Sequence, residues 1–185
     1  MTWVLDSSGT KTATVSGASC TFSTSVPTVT CTQTAAANDM VVFAGTTAPT
    51  GVTFGTTYYV ISAGLSGSAF EFSATQGGSA IQVSSTGSGV TATFEHVLYQ
   101  DSTNGTIVGE WDTSNLASGD LVELRVYTIT LSGGSYVQMW KGTYQHVQVA
   151  NHKSSPPIAS DQATETTIKQ LAGTGRAFPW KVLRI

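Results

Sequence analysis

The sequence predicts an all-β, antiparallel protein, and three features support that prediction. Short runs of β-branched and aromatic residues alternate along the chain with clusters of Gly, Pro, Asn and Ser. Helix signals are nearly absent, and a single capped turn within 112–119 is the most that we expect. Charged residues make up 10% of the chain, against about 25% in an ordinary globular domain. We therefore expect an antiparallel β-sandwich or jelly-roll-like base domain that carries a small inserted β-sandwich or barrel module.

The domain boundaries follow from where the charges lie. Residues 18–93 contain no Lys or Arg, and their only acidic residues are Asp39 and Glu71. We interpret this stretch as an inserted module and residues 1–17 plus 94–185 as the base domain. Such insertions are tolerated where the two host ends lie close together.

The predicted strands are short in the module and longer in the base domain. In the base domain, 121–131 has apolar residues on both faces, which predicts either a covered second face or a bulge. Tyr136, Trp140 and Tyr144 share parity in the following strand, which favours one interior face over a sugar-stacking platform. The expected strands are 40–43, 58–61, 70–72 and 80–83 in the module, and 121–131, 136–149, 164–171 and 178–185 in the base domain.

The two cysteines flank a segment that can form a hairpin. A turn centred at Ser25-Val26, or a wider loop reaching Pro27, places Cys20 opposite Cys31 if the loop is symmetric. Directly opposed residues have Cα atoms about 4.5–5.5 Å apart, a separation that a disulfide tolerates. Such a bond would contribute roughly 3 kcal/mol. A reducing cytoplasm instead favours two free thiols, so the sequence leaves a disulfide possible but not preferred.

Groups suited to catalysis or to metal binding are scarce and poorly spaced. His96, His146 and His152 match no zinc pattern, and we expect each to be a partly exposed strand histidine. Glu110 and Asp112 lie on one side of a strand, where two exposed acidic residues are ordinary. The sequence contains no nucleophile motif. We therefore expect no enzyme activity, no cofactor and no metal.

Charge and hydropathy also argue against two classes of partner. The net charge is −3 and the eight Lys and Arg are scattered, so we expect no nucleic-acid binding. No apolar run reaches the roughly 18 residues of a membrane span, and we expect no membrane partner. The N-terminal residues lack the pattern of a signal peptide, which predicts assembly in a host cytoplasm.

Residues 28–93 resemble a small β module that recurs in structural and fibre proteins of tailed phages. The match includes Met40-Val-Val-Phe43, the stretch from Ala48-Pro-Thr-Gly51 to Tyr58-Tyr-Val-Ile61, and Phe70-Glu-Phe72 followed by Gly77-Gly78. These features keep their order along the chain. The resemblance implies a β module on a phage structural protein.

The flanking residues are similar to small phage virion proteins that lack the 18–93 segment. They begin with Thr2-Trp-Val-Leu-Asp6 and contain Asp120-Leu-Val-Glu-Leu-Arg-Val-Tyr127, Ser155-Pro-Pro157 and the ending Lys169 to Leu183. The resemblance implies a structural role in the virion, and capsid decoration, or cementing, is the first expectation. It brings no catalytic residues.

The decoration hypothesis predicts binding to the major capsid protein on the outer capsid surface, as a homotrimer. Its candidate contact residues are Arg176, Trp180 and Lys181, with a core position as the alternative for Trp180. The alternative function is a tail, baseplate or fibre-associated part with possible host-glycan contact. A free carbohydrate-binding module is a third class.

Overall fold

The structure is a computed structural model, and it describes residues 2–185. The chain divides into two compact units: the first combines the chain up to Ala13 with Val97–Ile185, and the second is Thr14–His96. The boundaries expected from the charge pattern, 17/18 and 93/94, lie a few residues from these.

Residues 2–185 form fourteen β-strands and no helix, so the predicted all-β fold class is confirmed. All the pairings described below are antiparallel. In chain order the strands are β1 (Val4–Thr12), β2 (Ala18–Phe22), β3 (Thr28–Cys31), β4 (Met40–Ala44), β5 (Thr57–Ser66), β6 (Ala69–Ser73), β7 (Thr91–Asp101), β8 (Gly105–Asp112), β9 (Leu121–Ile129), β10 (Val137–Gln145), β11 (His152–Ser154), β12 (Ile158–Ser160), β13 (Ala163–Ala172) and β14 (Ala177–Arg184).

The first unit is a two-layer sandwich. One layer has the order β1-β14-β8-β11, with β12 also paired to β8, and the other contains β10-β9-β13. The layers meet where the Trp111 ring of β8 stacks on the Trp140 ring of β10, with centroids 5.6 Å apart. At the margin, Lys153 Nζ lies 4.7 Å from the centroid of the Tyr144 ring, a cation–π contact.

Alternation along the strands supplies the core of this sandwich. Val122, Leu124 and Val126 on β9 are fully buried, and so is Ile168 on the neighbouring β13. Successive strand residues point to opposite faces, so every second position of β9 enters the core. Burying one such side chain contributes about 1.5–3 kcal/mol.

The predicted interior row of aromatic residues is wrong at one member. Trp140 and Tyr144 pack against the core, but the register shifts between Gln138 and Trp140. That bulge breaks the parity on which the prediction rested. Tyr136 consequently lies outside the core cluster and before β10, where its hydroxyl accepts a hydrogen bond from Gln100 Nε2 at 3.0 Å.

The second unit is a closed six-stranded barrel. Its strands follow the order β2-β3-β6-β5-β4. The first part of β7 pairs with β2 through Ala92 and with β4 through Phe94, which closes the ring. Closure pairs the strand edges with one another, and this removes the free edges on which aggregation begins.

The barrel interior is aromatic. Phe22, Phe43, Phe72 and Tyr58 form a set of contacts with ring centroids 5.1–6.0 Å apart, mostly edge to face. Each edge-to-face pair contributes about 0.5–1.5 kcal/mol beyond the area that it buries. The interior is therefore a packed core.

One predicted strand of the module does not form. Residues 80–83 are irregular, although Ile81 N–H donates to Phe72 O at 2.9 Å. Val83 is buried in the barrel core, so the apolar run that suggested a strand is explained by packing. An apolar run reports burial, and it defines a strand only when a ladder partner is present.

Candidate functional site

Arg176, the first predicted contact residue, forms an ion pair inside its own unit. Its Nε donates to Asp120 Oδ2 at 2.9 Å, and its backbone N–H donates to Gln170 Oε1 at 3.2 Å. The Asp120 side chain is 1% exposed and also accepts from the N–H groups of Ala117 and Thr174, at 2.8 and 3.0 Å. Arg176 thus fixes the turn that leads into β14.

The Asp120 carboxylate is held in its charged form. Burial favours the neutral acid, but the hydrogen bonds from Ala117, Thr174 and Arg176 outweigh it and lower the pKa of Asp120 below its ordinary value. The site around Arg176 is accordingly a structural one.

Trp180 lies on the inner face of its sheet, at the margin of the core. Its cross-strand partners are Gly9 on β1 and Trp111 on β8. A Cβ placed on Gly9 would lie 3.2 Å from the Trp180 ring, so glycine leaves the room that the indole occupies. Trp180 is half-buried and packs against the core cluster, as its alternative interpretation required.

Lys181 points to the opposite, outer face. Its Nζ lies 2.7 Å from Glu110 Oε2, and His152 Nε2 lies 3.7 Å from the same oxygen. The lysine side chain is 45% exposed, so this ion pair is screened by solvent. Of the three candidate residues, Lys181 offers the most accessible charge.

A shallow groove of about 200 Å³ brings Trp180 and Lys181 together, without Arg176. By strand alternation, the outer face of β14 and β8 contributes Pro179, Lys181, Glu110 and Asp112 to it. The residues that line the groove are Ser8, Glu110, Trp111, Asp112, His152, Pro179, Trp180 and Lys181.

A second surface was not predicted from the sequence. Val4, Leu5 and Ile185, which we name the β1 apolar cluster, are 63%, 57% and 39% exposed, and Trp3, which precedes them in the chain, is 37% exposed. Val4 pairs with Arg184 and Leu5 with Leu183, which brings this end of β1 beside the end of β14, and Val4, Leu5 and Ile185 line a groove of about 300 Å³ there. The apolar run Trp3-Val4-Leu5 could have indicated this surface from the sequence. The pairing of β1 with the last strand could not have been predicted in this way.

An ionic network fixes the strand ends beside the β1 apolar cluster. Arg184 Nε donates to Asp6 Oδ2 at 2.8 Å, and Arg184 also forms an ion pair with Asp101. Tyr99 donates its hydroxyl hydrogen to Asp6. Burial and the Asp6 carboxylate raise the pKa of Tyr99 above its ordinary value, which keeps the hydroxyl protonated as a donor.

His96 departs from the expected exposed histidine. It is fully buried in the second unit, where Nδ1 lies 2.6 Å from Asp39 Oδ2 and Nε2 lies 2.8 Å from Thr14 Oγ1. This order resembles that of a hydrolase triad. However, the Thr14 N–H also donates to Nε2 at 3.1 Å, so the lone pair that would take the hydroxyl proton is already engaged. We interpret the three groups as a structural clasp, because Thr14 and His96 are the first and last residues of the unit.

The other two histidines lie apart. His146 adopts a positive φ of 56°, and its Nδ1 accepts from the Gly119 N–H at 2.9 Å, whereas His152 is exposed. Within residues 2–185, no group of three or more His, Cys, Asp or Glu side chains is placed to hold a metal ion. In the same residues no helix is long and apolar enough to cross a membrane.

Comparison of the chain with protein-family models, with curated proteins and with solved structures finds no match.

Proposed function

We propose that this chain is a structural component of a tailed-phage particle that binds the assembled capsid as a decoration protein and stabilises the shell. The β1 apolar cluster is the single observation that supports it most directly. Three large, exposed apolar side chains around one groove on the first unit are the kind of surface that protein partners cover.

The composition supports the same role. A surface with few charges and many hydroxyl groups is desolvated at low cost, which suits a protein that works within an assembly. Binding that selects the assembled shell over its free subunits stabilises the shell by mass action. The partner is the major capsid protein, and the chain acts as a trimer at symmetric positions.

In this proposal the contact surface is the β1 apolar cluster together with the neighbouring outer face of β14. Lys181 contributes an accessible charge at the rim, where charges guide association more than they add affinity. Arg176 and Trp180 act indirectly, by fixing the turn before β14 and the packing beneath it.

Quantitative mass spectrometry of purified particles tests the role. Decoration predicts hundreds of copies per particle and a loss of pressure resistance when the gene is deleted. A few to dozens of copies with an adsorption defect would favour the tail-associated alternative. Absence from the particles would refute both.

A binding assay on purified shells tests the surface. We expect Leu5→Ser to weaken binding about tenfold or more, because Leu5 lies opposite Leu183 on the face that carries Lys181 and is an apolar side chain of the contact. Leu131→Ser is the matched control, since Leu131 is 75% exposed on the loop between β9 and β10. Equal binding by both variants would move the contact away from β1.

A further inference from the structure

Cys20 and Cys31 lie directly opposite each other on β2 and β3, and their sulfur atoms are bonded. Their Cα atoms are 4.1 Å apart, and Phe22 faces Val29 in the same register. The strands are joined by a loop that spans 23–27. The structure therefore differs from the free thiols that a reducing cytoplasm favours.

The barrel holds the two cysteines in place without help from the bond. Phe22, two residues after Cys20, contacts the rings of Phe43 and Phe72, and ladder hydrogen bonds join β2 to β3 and β3 to β6. A unit of this size buries enough surface to fold without a disulfide. The fold thus brings the two thiols together ahead of oxidation.

Both cysteines are buried in the barrel core, but Cys20, which is 8% exposed, is the less enclosed of the two. Cys20 lines a groove of about 310 Å³, together with Thr21, Phe22 and 86–90. The groove opens beside the second half of β2, because β7 pairs with β2 only at Ala18 and Ser19 within the strand ladder. Cys31 is 2% exposed, in a strand paired on both sides. A small reagent reaches Cys20 first.

We propose that the Cys20–Cys31 disulfide is a redox lock on the barrel, closed by thiol–disulfide exchange that begins at Cys20. The Cys20 thiolate attacks a small disulfide such as oxidised glutathione, forms a mixed disulfide and releases one thiol. The Cys31 thiolate then attacks the Cys20 sulfur and releases the second thiol. Each cysteine loses one proton, and the external disulfide is reduced by two electrons to two thiols.

The timing of closure rests on the proposed function, in which the chain is made in a reducing cytoplasm and later released from it. Before release the barrel is folded and its two cysteines are free thiols. After release the disulfide forms and links β2 to β3. Reduction follows the same route in reverse and begins with attack of a thiolate on the Cys20 sulfur.

Single-cysteine variants of the full chain test where exchange begins. We expect native Cys31→Ser, which keeps Cys20, to form a glutathione adduct with oxidised glutathione at least about tenfold faster than native Cys20→Ser. In urea the two variants should react at similar rates, which controls for intrinsic reactivity. Equal native rates, a faster reaction of Cys20→Ser, or no adduct on either variant would overturn the proposal.

The wild-type chain provides a second measurement if a variant fails to fold. After reduction and return to native conditions, iodoacetamide should alkylate Cys20 before Cys31, as peptide mapping would show. Alkylation of both at once, or of Cys31 first, would overturn the assignment. Both measurements use the isolated protein, so neither result depends on capsid binding.

Discussion

His96 Nδ1 lies 2.6 Å from Asp39 Oδ2, and both side chains are removed from solvent. His96 is the last residue of the barrel unit, and this contact joins it to the loop before β4. Its Nε2 also contacts Thr14, the first residue of the unit. A barrel interrupting another domain must keep its two ends together, and this clasp does so with side chains of its own.

The clasp predicts a large stability loss at one histidine. His96→Leu should lower the free energy of unfolding by about 3–5 kcal/mol, because it removes the imidazole from the buried Asp39 carboxylate, which keeps the hydrogen bond from the Ala36 N–H at 2.8 Å. Urea denaturation measures the change. His152→Leu is the matched control, since its side chain is 65% exposed, and it should change stability by less than about 0.5 kcal/mol. Similar losses in both variants would contradict the assigned role.

Substitution of Arg176 should mainly lower stability, whereas substitution of Lys181 should mainly weaken binding. Arg176→Ala removes the guanidinium from the buried Asp120 carboxylate and should cost about 1–3 kcal/mol of stability. Lys181→Ala removes a solvent-screened ion pair and should cost less than about 1 kcal/mol, while slowing association with capsid shells. Thermal unfolding and shell-binding kinetics check the pair. The reverse pattern would make Arg176 the contact residue.

Any side chain added at Gly9 should be destabilising, because the Trp180 ring occupies the adjacent space. Gly9→Val places atoms against the Trp180 ring, where even a Cβ would lie 3.2 Å away. We expect the indole to move outward, with a red-shifted tryptophan emission and a stability loss of about 1–3 kcal/mol. Thr10→Val, at the neighbouring position on the other face of β1 and outside the groove that Trp180 lines, should leave the emission unchanged. An unshifted Gly9→Val spectrum would show that the ring does not depend on this space.

The lowered pKa of Asp120 predicts that the protein loses stability in acid. Its pKa is lower in the folded protein than in the unfolded chain, so the unfolded state binds the proton more tightly. The stabilisation is therefore complete above the unfolded pKa and is lost as the pH falls through the folded value. Asp120→Asn should flatten the acid side of a stability-versus-pH curve, with the wild-type curve as reference. An unchanged acid side would mean that Asp120 titrates alike in both states.

The fold class and much of the local order could be predicted from the residues alone. Period-two alternation along β9 predicted which side chains enter the core, because residue spacing in a strand fixes its two faces. The opposition of Cys20 and Cys31 followed from the symmetry of a hairpin loop, which is a property of nearby residues. The charge gap over 18–93 marked a segment that lies within the second compact unit.

The features that join distant parts of the chain could not be predicted in this way. The bulge at Met139, which removes Tyr136 from the interior row, depends on pairing with β9 and leaves no mark in the parity of the sequence. The burial of His96 requires Asp39, which is 57 residues away. The β1 apolar cluster exists because the first strand pairs with the last. Alternation and turn chemistry are local and can be read from neighbouring residues, whereas these contacts depend on which strands meet, and that is settled by packing across the whole fold.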